Sequence, residues 1–145
     1  MTIRLAMLGR PRPLGERGER HAAKLLKRKG FKMLLAGRRN RYGEFDLVAL
    51  DRRRERSLER QPLVFVEVKT RRSLRAGTPA EAVTPEKQRR LSRAALAFLR
   101  SHDLLEHPVR FDVVAIHWPK GERLPLSAEH FVNAFEPPAS RGFFG

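Results

Sequence analysis

The chain has 145 residues, with 31 Lys+Arg against 16 Asp+Glu, a formal net charge of +15 and no cysteine. That length suits one domain with a real core, and the missing cysteines exclude disulfides and thiolate metal sites, so a bound metal would rest on oxygen or imidazole. The surplus charge attracts polyanions, nucleic acid first among them, and 24 of the basic residues are arginine, whose planar fork matches phosphate.

Residues 1–12 are expected to be a disordered segment. Their apolar start is short, is broken by Arg4 and runs into Arg10-Pro-Arg-Pro13, so neither a secretion signal nor a membrane span is expected, and a cytoplasmic location fits. Residues 13–136 read as one domain and 137–145 as a disordered tail. A helix is expected from Pro13 to Lys29, with Ala22, Leu25, Leu26 and Lys29 at helical spacing and Gly30 as its stop. Glu19 falls on that apolar stripe.

A strand follows around Phe31–Ala36, then a turn through Arg38–Arg41 and a strand from Glu44 to Leu50. Residues 51–61 are dense in arginine and predict a solvated connection. Leu63–Lys69 reads as a strand. Thr84 as N-cap and Pro85 at the first helical position predict a long helix to about Ser101, with an inner stripe of Gln88, Leu91, Ala95, Phe98 and Leu99. Val109–His117 alternates as a strand buried on both sides, and Glu129–Phe135 is a last strand or a turn of helix. The order predicts an α/β fold with a mixed central sheet flanked by helices.

Two of these strands carry charge where core belongs. Alternation puts Asp46 in line with Glu44, Val48 and Leu50, and puts Glu67 and Lys69 on one face with Leu63 and Phe65. Buried charges cost several kcal/mol unless paired. Two carboxylates, with the main-chain carbonyl of Val68, could hold a hard cation such as Mg2+ or Mn2+, and Lys69 would stand beside a water and a phosphodiester. Glu44 is either an outer ligand or a turn residue.

The motif Gly43-Glu44-Phe45-Asp46-Leu47-Val48-Ala49, followed by Phe65-Val66-Glu67-Val68-Lys69-Thr70-Arg71, resembles the bacterial YraN family. It also resembles the D…(D/E)-X-K signature of restriction-endonuclease-like nucleases, which include archaeal Holliday-junction resolvases. The likeness continues through Gly18-Glu19, Ala22-Ala23, Glu81-Ala82-Val83, Lys87 and Phe111-Asp112-Val113-Val114. It implies a restriction-endonuclease-like three-layer core and a metal-dependent endonuclease acting on DNA, including branched or repair intermediates. It also implies a homodimer. By the same resemblance Asp46 and Glu67 are metal ligands, Lys69 is the catalytic lysine, and Glu19 reaches the metal through water. Phe45 stands where the superfamily often has proline, and the 51–61 connection is long for the family.

Each of these residues also has a plainer reading. Glu and Lys two apart on a strand are an ordinary surface pair, and a helix-stripe Gln88 is most often a satisfied hydrogen-bonder. Arg41, Arg71 and Lys87 are candidates for phosphate contacts or for a solvated surface. Asp112 is read as a structural partner for an arginine. The histidines show no ligand spacing, which disfavours zinc, and the isolated Tyr42 and Trp118 form no stacking platform. The alternative to an enzyme is a non-catalytic nucleic-acid-binding module on a nuclease-like fold. A weaker third reading is a basic assembly factor with an acidic protein partner.

Overall fold

A computed structural model of the chain describes residues 12–36, 45–73 and 83–136. The elements run in the order α1 (Leu14–Lys29), β1 (Phe31–Ala36), β2 (Leu47–Asp51), a 3-10 turn (Leu58–Arg60), β3 (Leu63–Arg71), α2 (Pro85–Ser101), β4 (Val109–His117) and β5 (Ser127–Phe131). The five strands form one mixed sheet in the order β1-β2-β3-β4-β5. Only β3 and β4 are parallel, joined through α2; the other neighbours are antiparallel.

Both helices are bounded by local chemistry. Gly30 ends α1 at φ 105°, a left-handed geometry that costs glycine nothing, and Lys27, Arg28 and Lys29 complement the negative end of the helix dipole. At α2, the Thr84 hydroxyl accepts from the Lys87 N–H at 3.2 Å, with Pro85 at the first helical position.

Alternation along the strands then divides the core. One cluster joins Leu91, Ala95, Phe98 and Leu99 of α2 to Val48, Leu63, Phe65, Phe111 and Val113, with Phe45 among them. The other joins Ala22 and Leu26 of α1 to Leu47, Ala49, Val64, Val66, Val68, Val114 and Ile116. The result is three layers, α1 over one face of the sheet and α2 over the other, as the alternation predicts.

Residues 51–61 are more ordered than their charge suggests. Asp51 is the last residue of β2, opposite Phe31, and buried Gln61 donates from Nε2 to the Glu55 carbonyl at 3.0 Å. The chain after Leu126 resolves as the strand β5. Expectations for residues 1–11, for 37–44 (the Arg38–Arg41 turn, Arg41, Tyr42 and Glu44) and for 137–145 lie outside the described residues, as do those for Glu81 and Ala82. Among the described residues no helix is long and apolar enough to cross a membrane.

Candidate functional site

The β2–β3 register pairs Leu47 with Val66 and Val48 with Phe65. One further step carries Asp46 to a position opposite Glu67, where regular pairing has ended and side chains have room to converge. Asp46 Oδ2 there accepts the Val68 N–H at 2.8 Å. A residue's N–H and C=O point to the same side of a strand, so the Val68 carbonyl also faces the side from which Asp46 comes.

Glu67 and Lys69 share the α2 face of β3. The Lys69 ammonium lies 3.3 Å from Glu67 Oε1, and Lys87, from the first turn of α2, lies 3.9 Å from the same oxygen. The other carboxylate oxygen, Glu67 Oε2, is buried and has no hydrogen-bond partner among the described residues. Burial and the charge of Asp46 raise the Glu67 carboxyl, Lys87 and Lys69 oppose them, and the balance lies at about 7, up from 4.5.

These features fit a cation. An orphaned buried carboxylate oxygen, a second carboxylate whose approach is fixed by a backbone N–H, and a carbonyl on the same side make an oxygen donor set of the kind hard divalent ions take. Among the described residues, however, no three Asp, Glu or His side chains gather closely enough to hold a metal between them. Glu19 is buried, on the stripe of α1 where helical spacing puts it.

Of the residues read as phosphate contacts, Arg71 is half-buried at the end of β3, its carbonyl accepting the Trp118 N–H at 2.8 Å. Lys87 leans on Glu67. Gln88 donates to the Val83 carbonyl at 2.9 Å and is a satisfied hydrogen-bonder.

Asp112 does pair with an arginine, and the pair belongs to a larger network that spacing alone does not reveal. Arg110 donates to both Asp112 oxygens at 2.8 Å and reaches Asp51 at 2.9 Å, while Arg53 donates to Asp51 at 2.8 and 2.9 Å. His130 Nε2 meets Asp112 Oδ2 at 2.7 Å, with Lys29 Nζ 2.8 Å from its Nδ1. An ammonium only donates, so Nδ1 accepts and Nε2–H donates to Asp112. Burial opposes ionisation of Asp112, but hydrogen bonds from Arg110, His130 and the Asn133 N–H outweigh it and hold the carboxyl below its ordinary value. Against burial, hydrogen bonds from Arg53 and Arg110 likewise hold the Asp51 carboxyl below its ordinary value. The faint sequence signal for this network is Arg110 and Asp112, two apart on one strand face.

Comparison with known proteins adds the family. Residues 18–116 match the Uncharacterised protein family UPF0102, a span from the Gly18-Glu19 of α1 to the Ile116 of β4. A UPF0102 protein of Rhodopirellula baltica is 46% identical over 132 residues, covering 91% of this chain and 75% of its own length. One from Chlorobium phaeobacteroides is 43% identical over 128 residues, covering 86% and 95%. One from Geobacter sulfurreducens is 46% identical over 125 residues, covering 85% and 88%. By profile and by relatives alike, the chain belongs to the UPF0102 family, the YraN-like proteins.

Proposed function

We propose that the protein is a metal-dependent phosphodiester hydrolase of the restriction-endonuclease-like kind, acting on DNA with Mg2+ or Mn2+. The observation that carries this reading is the buried, unpartnered Glu67 Oε2, which sits on the face shared with Lys69 and across from Asp46. A structural ion pair would satisfy both oxygens of a carboxylate; here only Oε1 faces the lysines. The net charge of +15 supplies the attraction for a polyanionic substrate.

In this reading Asp46, Glu67 and the Val68 carbonyl would hold the cation, which supplies charge neutralisation at the phosphoryl oxygens. The Val68 N–H keeps Asp46 in its rotamer. Lys69 orients the attacking water and offsets negative charge that develops beside it. Glu19, from α1, would reach the cation through water. Arg71, Lys87 and Arg41 are the candidate phosphate contacts. Two copies acting together would cut both strands of a branched or repair intermediate symmetrically.

The test is cleavage of supercoiled, single-stranded, flapped and four-way-junction DNA with Mg2+ or Mn2+, with EDTA and Lys69→Ala as controls. Cutting that EDTA stops, and that Lys69→Ala lowers by about a hundredfold or more while binding persists, supports the hydrolase. Binding without cutting on every substrate overturns it in favour of a non-catalytic nucleic-acid-binding module.

A further inference from the structure

Arginines in this protein fall into two chemical groups. Arg53 and Arg110 are neutralised by Asp51 and Asp112 and take no further anion. Arg17 and Arg72 are positioned instead by groups that carry no charge. The Arg17 guanidinium lies 4.2 Å over the Trp118 ring and donates to the Glu122 carbonyl at 3.4 Å. Arg72 donates to the Trp118 carbonyl at 3.4 Å. Neither has a carboxylate within salt-bridge distance among the described residues, so both keep their full charge.

Trp118 is itself fixed. Its indole N–H donates to the Glu122 carbonyl at 2.9 Å, its backbone N–H extends the β3–β4 ladder to Arg71, and His21 meets its ring edge-on at 6.0 Å. On α1 the basic residues Arg17, Lys24 and Arg28 continue from this corner, with His21 between them, at spacings of four, three and four that align them along one side of the helix. From Arg17 to Arg28 that row is about 16 Å long at the helical rise per residue. The corner lies at the end of the sheet that also carries Glu67 and Lys69, on the opposite face.

From this we infer that the Trp118 corner is a second phosphate-binding site, at which Arg17 and Arg72 grip nucleic-acid backbone on the α1 side of the sheet. The inference rests on the reading of the protein as one that acts on nucleic acid, but it does not need the protein to cut. Arg17, pre-set on an aromatic ring and a carbonyl, loses little rotamer freedom when a phosphate arrives, and the exposed Arg72 beside it adds a second guanidinium. The row down α1 gives the backbone a continuing track away from the site.

Binding in EDTA, where no cleavage intrudes, separates this from the hydrolase proposal. The full chain and Arg17→Gln/Arg72→Gln are titrated with short fluorescent duplex and single-stranded DNA across a range of salt. The expected result for the double variant is roughly tenfold weaker binding and a log–log salt slope shallower by about 1.8, the loss of two phosphate contacts. The exposed pair Arg93→Gln/Arg100→Gln on α2 removes the same charge and should change binding less than about twofold. Arg72→Gln alone, at an exposed residue, guards against misfolding and should show about half the slope change. Equal loss from the two double variants, an unchanged salt slope, or binding to phosphatidylserine vesicles but not to DNA would each overturn the inference. A protein that binds through Arg17 and Arg72 yet cuts nothing upholds it and removes the hydrolase.

Discussion

At the scale of single residues, Glu67 holds the charge least at home in its surroundings. With its carboxyl raised from 4.5 to about 7, the folded chain binds that proton more tightly than the unfolded chain does. In the metal-free protein the resulting stability is fully present below about pH 4.5 and is lost as pH rises through about 7. His21 acts in the opposite sense: burial, then Arg28 and Lys24, hold it below 6.5, so its contribution is present above 6.5 and lost as pH falls. Comparing the parent with Glu67→Gln in EDTA cancels the His21 effect, which both share. Urea midpoints should show the parent losing roughly 1–3 kcal/mol more than the variant between acidic and mildly alkaline pH. Parallel curves would mean that Glu67 ionises as an ordinary carboxyl. Strand alternation alone was enough to read Asp46, Glu67 and Lys69 as one-sided, because a period of two leaves no choice of face. It did not reveal that Lys87 leans on Glu67, since that contact crosses from α2 to β3 and depends on the helix's angle over the sheet.

Between elements, α1 crosses close over β3 at Gly18 and Thr70. A Cβ at Gly18 would overlap the Thr70 hydroxyl, whose oxygen is buried without a hydrogen-bond partner among the described residues. Alanine favours helix over glycine by about 1 kcal/mol, yet Gly18→Ala should destabilise by about 1–3 kcal/mol, because the overlap is with a short branched side chain on a central strand. Thr70→Ala removes an unpaired hydroxyl and should be close to neutral. In the double variant most of the Gly18→Ala penalty should vanish, a coupling of about 1 kcal/mol or more in thermal or urea unfolding. An undiminished penalty would place its cause elsewhere. Helix ends were the most legible elements, since Gly30, Thr84 and Pro85 act through their own backbone chemistry. The connection at 51–61 was the least: its charge pattern hides Gln61, which order reaches through a carbonyl six residues away.

For the molecule as a whole, part of the positive charge is tied into one buried network. Toward the start of β4, Asp112 is fully buried and binds Arg110, His130 and the Asn133 N–H, tying β4 to the chain that follows β5. Arg53 and Arg110 also stack on Phe31, at 4.8 and 5.9 Å, so β1 joins the same knot. Asp112→Ala would leave Arg110 buried beside a missing partner and should cost about 3–5 kcal/mol, read as a lowered urea midpoint. A change below about 1 kcal/mol would show that the network is dispensable. Arg17 and Arg72, beside Trp118 at the far end of β4, have no such carboxylate among the described residues. Composition made the surplus plain; only the fold separates arginines spent on aspartates from those that are not.

The connectivity of the sheet also sets an order of assembly. Asp46 and Glu67 sit on β2 and β3, antiparallel neighbours close in the chain, whereas the β3–β4 pairing waits on the α2 crossover. Hairpins close within microseconds and long-range parallel pairs form later, at a greater loop-closure cost. The two acids are thus expected to meet early, with Lys69 beside them, and Lys87 to join when the crossover docks. Lys87→Ala is therefore expected to speed unfolding more than it slows refolding in a urea chevron, and the reverse would place α2 in the early structure.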